Sequence, residues 1–208
     1  MGFIVLSNAR FFKQVVLGFG SNDTSTNFVE NVVDRFLVDT LARLHPHSRA
    51  TGWNTDKPPY IHVQSIGHVA GIDEYVSPAS LTIHDSNFLK HRDSDLWGNL
   101  SDRTLGVSIH PRYGGWYAYR MLIVLEGVPW PRELARPEPM RFLSQEEKSQ
   151  VIYEYNENPD LCRWRDFYDR NLHEIERYDT AQYLFFHERS IDKRRRILEL
   201  LKLENYHV

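Results

Sequence analysis

The 208-residue sequence predicts an α+β fold. Short apolar or alternating segments occur at the start and near the middle of the chain, whereas helical periodicity dominates its C-terminal part. The strand-like segments do not alternate regularly with helices, so a parallel sheet of β–α–β units is not indicated. Antiparallel strands flanked by helices are.

Taken in order, Gly2–Ser7 reads as a short apolar strand. Phe28, Val32, Val33, Phe36, Leu37, Leu41 and Leu44 then recur at helical spacing, with Asn and Asp upstream as caps and Pro46 just past the end. Arg49–Pro59 reads as loop. Tyr60–Gln64 is extended after the Pro58-Pro59 pair and leads into a helix over Ser65–Val76. Ser77–Asp95 is polar and weakly patterned, a long loop. Thr104–Ile109 and Trp116–Leu125 read as the two strands of a hairpin. Pro129, Pro131, Pro137 and Pro139 mark a semi-rigid connection. Ser144-Gln-Glu-Glu147 is a capping box that opens a helix running to about Tyr155. Tyr178–Phe186 and Ile191–Leu203 close the chain as two further helices.

Composition narrows the function classes. Hydrophobic residues at 41% and aromatic residues at 13% allow a substantial core, and the length fits one domain. A formal net charge of −3 argues against nucleic-acid binding, which would rest on Lys193–Arg196 alone. The single cysteine, Cys162, excludes an intramolecular disulfide and suits a reducing, cytoplasmic compartment. No apolar run approaches the roughly 20 residues of a membrane span, and no secretory signal opens the sequence. The histidines offer His45-Pro-His47 and scattered singles rather than zinc-hydrolase spacing, and no metal site is expected.

The run His110-Pro-Arg-Tyr-Gly-Gly-Trp-Tyr-Ala-Tyr-Arg120 is the most informative stretch. Its Gly114-Gly115 pair suits a tight connection where φ is positive or backbone approaches a ligand closely. Trp116, Ala118, Arg120, Leu122 and Val124 then alternate with Tyr117, Tyr119, Met121, Ile123 and Leu125. A guanidinium in so apolar a strand is costly unless an anion or a polar cluster meets it, which singles out Arg120 as functional. His110, in the turn, reads as structural, orienting it through a backbone hydrogen bond.

With the upstream Gln64-Ser-Ile-Gly-His68-Val-Ala-Gly71 and Leu96-Trp-Gly-Asn99, this stretch resembles the CblC (MMACHC) family of cobalamin-processing proteins. Further matches occur at Trp164-Arg-Asp166, Arg170, Arg177-Tyr178 and the closing Leu-rich helix, so the likeness spans nearly the whole chain. Relatives carry a segment ahead of the strand matching Phe3–Ser7, where this sequence opens. The resemblance implies a flavin nitroreductase-like core over residues 1–127 and a helical C-terminal cap over residues 128–208. It also implies a cytoplasmic enzyme that binds cobalamin with its lower base detached. The upper ligand would be removed by glutathione-dependent dealkylation or by reductive decyanation, with FMN or FAD a candidate electron source. A downstream trafficking partner of the CblD type and a monomer or weak homodimer are the implied associations.

Family positions that line the corrin match Ile61, His62, Val63, Gln64, His68, Tyr75, Val76, Ser77, Ser108, Gly115 and Tyr119. They supply the mix of apolar walls and a few polar groups that a cofactor pocket needs. On composition alone, Ile61 and Val63 are ordinary core residues, and His68 an ordinary hydrogen-bonded histidine. The resemblance makes His68 a pocket residue but not the cobalt ligand. Arg120 and Arg170 match the positions of glutathione recognition, with Arg196 the third arginine within Lys193-Arg-Arg-Arg196. Guanidinium forks bind carboxylates bidentately, and a cationic setting lowers a thiol's pKa, which gives Arg120 and Arg170 their catalytic assignment. Two other readings stand beside this one: a flavin reductase on the same core, and a non-catalytic cobalamin carrier.

Overall fold

The computed structural model describes residues 1–13, 39–40, 43, 48–52, 62–81, 104–125, 127–133, 135, 137–170 and 176–203. The helix expected over Phe28–Leu44, the loop expected to follow Ser77 beyond residue 81, Ile61 and the Leu96–Asn99 motif lie wholly or largely outside them. The chain divides into two compact units: residues 1–61, 118–131 and 176–208, and residues 62–117 and 132–175. The division expected at 127/128 runs through both units rather than between them. Helices and small antiparallel sheets make up each, so the α+β class holds.

In the first unit, β1 (Gly2–Ser7), β2 (Ser48–Gly52) and β5 (Ala118–Leu125) form an antiparallel sheet in the order β1-β5-β2. Strand β1 runs from Gly2 opposite Val124 to Ser7 opposite Ala118, with a bulge between Val5 and Leu6. On the other side of β5, Ser48 faces Leu125 and Gly52 faces Met121. The strand at 48–52 corrects the expected loop: its short polar sequence carries no alternation, and the pairing with β5 alone makes it a strand. Helices α3 (Thr180–His187) and α4 (Ile191–Leu203) lie close to their expected bounds. Asp179 and Gln182 form a reciprocal capping box on α3. Phe12, Phe185, Leu198 and Leu201 form the local core, with the Phe12 and Phe185 rings 5.0 Å apart. Among the described residues no helix is long and apolar enough to cross a membrane.

In the second unit, β3 (Glu74–Val76) and β4 (Val107–Ile109) pair antiparallel, Tyr75 opposite Ser108. The expected hairpin of Thr104–Ile109 with Trp116–Leu125 is therefore corrected: β4 pairs with β3, and β5 pairs with β1 and β2. The cause lies in the turn. Gly114, at φ 56°, closes a bridge with His110, and the Gly115 N–H is then taken by the Arg165 carbonyl at 2.9 Å, so the chain leaves the ladder. Helix α1 (Val63–Val69) starts two residues before its expected bound and stops well short of Val76. The His62 ring caps its first turn. Gly71, at φ 67°, terminates it, and a Cβ there would fall 2.4 Å from the Glu138 carbonyl oxygen. Helix α2 (Gln145–Glu157) opens with the expected Ser144/Glu147 capping box. Val76, Val107, Ile109, Leu143, Val151, Ile152 and Trp164 form this unit's core.

Candidate functional site

The turn between α1 and β3 gathers three of the expected pocket residues. His68, in the last turn of α1, accepts a hydrogen bond at Nδ1 from the Tyr75 backbone N–H at 3.2 Å. The Asp73 carbonyl oxygen lies 3.4 Å from the same nitrogen. The Tyr75 N–H can only donate, so Nδ1 offers it a lone pair and Nε2 is the ring nitrogen left to carry the proton. In that tautomer Nε2 is a hydrogen-bond donor. The Tyr75 ring stands edge-on to His68, centroids 6.4 Å apart, and Tyr75 is exposed. Ser108 sits opposite it on β4, buried.

Beneath these residues lies an acid that the sequence did not single out. Asp73 is fully buried and accepts a hydrogen bond from the Tyr117 hydroxyl at 2.7 Å. Desolvation raises its pKa from 3.8 to about 6, against smaller lowering by the Tyr117 hydrogen bond, by His68 and by the Ser108 hydroxyl. Tyr117 is pushed well above 10, by its own burial first and then by Asp73. Next in sequence, Glu74 is also buried, but for the fold: its carboxylate accepts from the Phe142 and Leu143 N–H groups at 2.7 and 2.9 Å and pairs with Lys148 at 2.8 Å. In sequence both acids read as positions on a helix that would have run through Val76. Only the Gly71 break puts them inward, and no local pattern announces it.

The remaining expected lining residues divide by burial. Val63 and Val76 are each 1% exposed, so their side chains belong to the packing and only their backbone is left for a ligand. His62 is exposed and its Nδ1 lies 2.6 Å from the Ser65 hydroxyl. Gln64 is half-buried on α1, and the Ser77 hydroxyl caps the short 3₁₀ turn Pro78–Ser80. Gly115 is glycine for a reason inside the fold: a Cβ would lie 2.4 Å from the Trp164 ring and 3.0 Å from the Arg165 Cα. The positive φ expected in this turn belongs to Gly114 instead. His110 Nδ1 accepts from the Arg112 and Tyr113 N–H groups at 3.0 and 3.3 Å, the expected structural role. Burial, then the Arg112 charge, lowers its pKa to about 4, which keeps it neutral.

The arginines lie on three elements. Arg120, half-buried in the middle of β5, donates from Nε to the Ser7 hydroxyl at 2.7 Å and sits 5.4 Å from the Phe11 ring centroid. Ser7 and Phe11 are partners that the sequence did not reveal, since they become neighbours only through the β1–β5 register. Tyr119, one residue earlier, takes the other face of the strand. Arg196 is exposed on α4, in the same unit as Arg120. Arg170 is exposed in a turn of the second unit, following the Arg163–Asp166 3₁₀ turn, from which the Asp166 carboxylate accepts the Trp116 indole N–H at 2.8 Å.

The family model described as "Methylmalonic aciduria and homocystinuria type C family", MMACHC, matches residues 1–198. The chain belongs to the MMACHC family. A Caenorhabditis elegans "MMACHC-like protein" is 27% identical over 210 residues, covering 89% of this chain and 72% of the relative. The human "Cyanocobalamin reductase / alkylcobalamin dealkylase" is 28% identical over 204 residues, covering 89% of this chain and 62% of the relative. The chain thus spans less than two thirds of the human relative's length. The fold is similar to that of "a C.elegans B12-trafficking protein CblC, a human MMACHC homologue", with a TM-score of 0.69 and 26% identity over 100% of this chain and 81% of that one. Within this MMACHC-family chain, the motif from His110 to Arg120 crosses from one compact unit to the other at Tyr117-Ala118. Its first part builds a turn around Trp164, and its second part carries Arg120 into the β1-β5-β2 sheet.

Proposed function

We propose that this protein is a cobalamin-processing enzyme of a reducing, cytoplasmic compartment, acting by glutathione-dependent dealkylation of alkylcobalamins and reductive decyanation of cyanocobalamin. The observation that carries the reading is the family match across residues 1–198, supported by relatives named for these two reactions. The nitroreductase-like description of the core belongs to the same proposal. The residues suit the ligand. Cobalamin offers an apolar ring face fringed with amides, and the second unit supplies an exposed aromatic at Tyr75, the polar Gln64 and an Nε2–H donor at His68.

For dealkylation, Arg120, Arg170 and Arg196 would hold the glutathione carboxylates, with Arg120 pre-oriented by Ser7 and Phe11. Their charge favours the thiolate, which attacks the carbon bound to cobalt. The S–C bond forms, the Co–C bond breaks with both electrons left on cobalt, and the products are a thioether and Co(I)-cobalamin. Binding with the lower base detached removes an axial donor and makes Co(I) easier to reach. Decyanation instead consumes electrons from a thiol or a reduced flavin and releases cyanide. A downstream acceptor of the CblD type would take the product.

Anaerobic absorption spectra with methylcobalamin, with and without glutathione, test this. A base-off spectrum that turns into the Co(I) spectrum only when glutathione is added is the expected result. Binding with no loss of the methyl group leaves a carrier. Flavin retained at the protein's stoichiometry, without cobalamin binding, leaves a flavin reductase.

A further inference from the structure

The Asp73–Tyr117 pair is a buried acid–phenol contact beside the expected pocket residues, and the proposed reaction does not use it. Asp73 reaches the site twice. Its carboxylate accepts from the Tyr117 hydroxyl at 2.7 Å, and its backbone carbonyl stands 3.4 Å from His68 Nδ1. Two residues on, the Tyr75 N–H makes the hydrogen bond to that nitrogen at 3.2 Å, with the Asp73 carbonyl a neighbour and not a partner. The five residues from Gly71 to Tyr75 are thus held at both ends: Gly71 is packed against the Glu138 carbonyl, and Glu74 is bound by the Phe142 and Leu143 N–H groups and Lys148. Asp73 contributes nothing to that outer clamp. Its carboxyl points the other way, to Tyr117, with His68 on α1 and Ser108 on β4 as the further groups that act on it.

We propose that Asp73 is a positioning residue for ligand recognition, fixing the Gly71–Tyr75 turn so that His68 presents Nε2–H as a donor, and coupling that recognition to pH through its own ionisation. The chemical partner of such a donor is a neutral acceptor, and the amide carbonyls on the rim of a corrin fit it. This rests on the cobalamin reading above. When ionised, Asp73 accepts a charge-assisted bond from Tyr117, stronger than a bond between neutral groups, and the turn tightens. When protonated, its hold on Tyr117 weakens and the field it exerts on His68 disappears. Recognition should therefore strengthen as pH rises through the range where Asp73 loses its proton, which burial has moved to about 6.

The test titrates hydroxocobalamin against the full chain from pH 5 to pH 8, for the wild type, Asp73→Asn and Tyr117→Phe. Asp73→Asn keeps an acceptor for the Tyr117 hydroxyl but cannot ionise, and Tyr117→Phe removes the donor without touching the turn. Wild-type affinity should rise about three- to tenfold across pH 6, within the tenfold per pH unit that one proton allows. Asp73→Asn should bind with the low-pH affinity at every pH, and Tyr117→Phe should show a smaller step. A step of full size in Asp73→Asn, or a flat wild-type profile, overturns the proposal. Nitrogen-15 shifts of the His68 ring, followed through the same pH range without ligand, keep the two readings apart. His68 should report the Nε2–H form at the upper end of the range, and its shift profile through pH 6 should differ between wild type and Asp73→Asn. If that coupling is seen and hydroxocobalamin does not bind at any pH, the cobalamin reading fails and the Asp73–His68 coupling stands. If hydroxocobalamin binds and the coupling is missing, the cobalamin reading stands and the role of Asp73 is overturned.

Discussion

Replacing Asp73 by Asn should change the pH dependence of folding in a calculable way. Asp73 is fully buried, with its pKa raised from 3.8 to about 6 by desolvation. Between those two values the folded protein binds the proton and the unfolded chain has released it. The folded state therefore holds more protons, and this group's contribution to stability falls as pH rises from about 4 to about 6, then stays constant. At about 1.36 kcal/mol per pKa unit, the gap corresponds to about 3 kcal/mol. Asn is nearly isosteric, keeps a carbonyl oxygen for the Tyr117 hydroxyl and never ionises. Its own packing cost is the same at every pH and cancels in a difference curve, as do the titrations of groups that Asp73 does not touch. Urea unfolding of wild type and Asp73→Asn at half-unit steps from pH 4 to pH 8 should show the variant gaining about 2.4 kcal/mol relative to wild type between the ends of the series, since at pH 4 the unfolded carboxyl is already partly ionised. A difference independent of pH would mean that Asp73 keeps an ordinary pKa in the fold, and the desolvation reasoning would be refuted.

Substitutions at four other positions probe separate parts of the structure. Gly115→Ala puts a methyl 2.4 Å from the Trp164 ring and should cost about 1–3 kcal/mol in chemical denaturation, with Gly115→Asp worse and wild-type stability contradicting the packing. Arg120→Gln should weaken glutathione binding by about ten- to a hundredfold, the equivalent of about 1.5–3 kcal/mol for a charged hydrogen bond, while cobalamin affinity falls much less; unchanged affinity in titration calorimetry removes Arg120 from the thiol site. His68→Ala should weaken cobalamin binding yet leave the base-off spectrum unchanged in shape, and loss of a histidine-ligated spectrum would mean the ring does bind cobalt. Phe12→Ala should destabilise the protein by about 3–5 kcal/mol, because the ring is 1% exposed against Phe185, Leu198 and Leu201, and a thermal midpoint that does not move would deny that core.

Where one local signal decides an element, the sequence was enough. Gly2–Ser7, the Ser144/Glu147 capping box and the last two helices needed only an apolar run, a cap and a period. The failures share a cause: the partner chosen was non-local. Strand β4 looked like the first arm of a hairpin because β5 follows it after one turn, yet it pairs with β3 some 30 residues earlier in sequence. The segment 48–52 carries no strand alternation and is a strand only because β5 has a second edge to satisfy. Helical patterning continues through Gly71 to Val76, but the glycine's positive φ and the Glu138 carbonyl packed against it end the helix.

The same distinction applies to two candidate residues taken separately, Arg120 in the first unit and His68 in the second. Arg120 was legible because a guanidinium in an apolar strand is costly wherever that strand lies, so its need for a partner follows from composition and period alone. Which partner met it was not legible: Ser7 and Phe11 reach it through a register that includes the bulge after Val5. For His68 the situation is reversed. Its context of small residues said little, and what defines its chemistry is the Tyr75 N–H on Nδ1, a backbone group that no side-chain pattern encodes. A family motif can therefore place the imidazole in a pocket, but the tautomer that decides between cobalt ligand and amide donor is set by the path of the main chain from Gly71 to Tyr75. Asp73 lies on that path, so the proposed tuning of His68 depends on a residue that no side-chain pattern singles out.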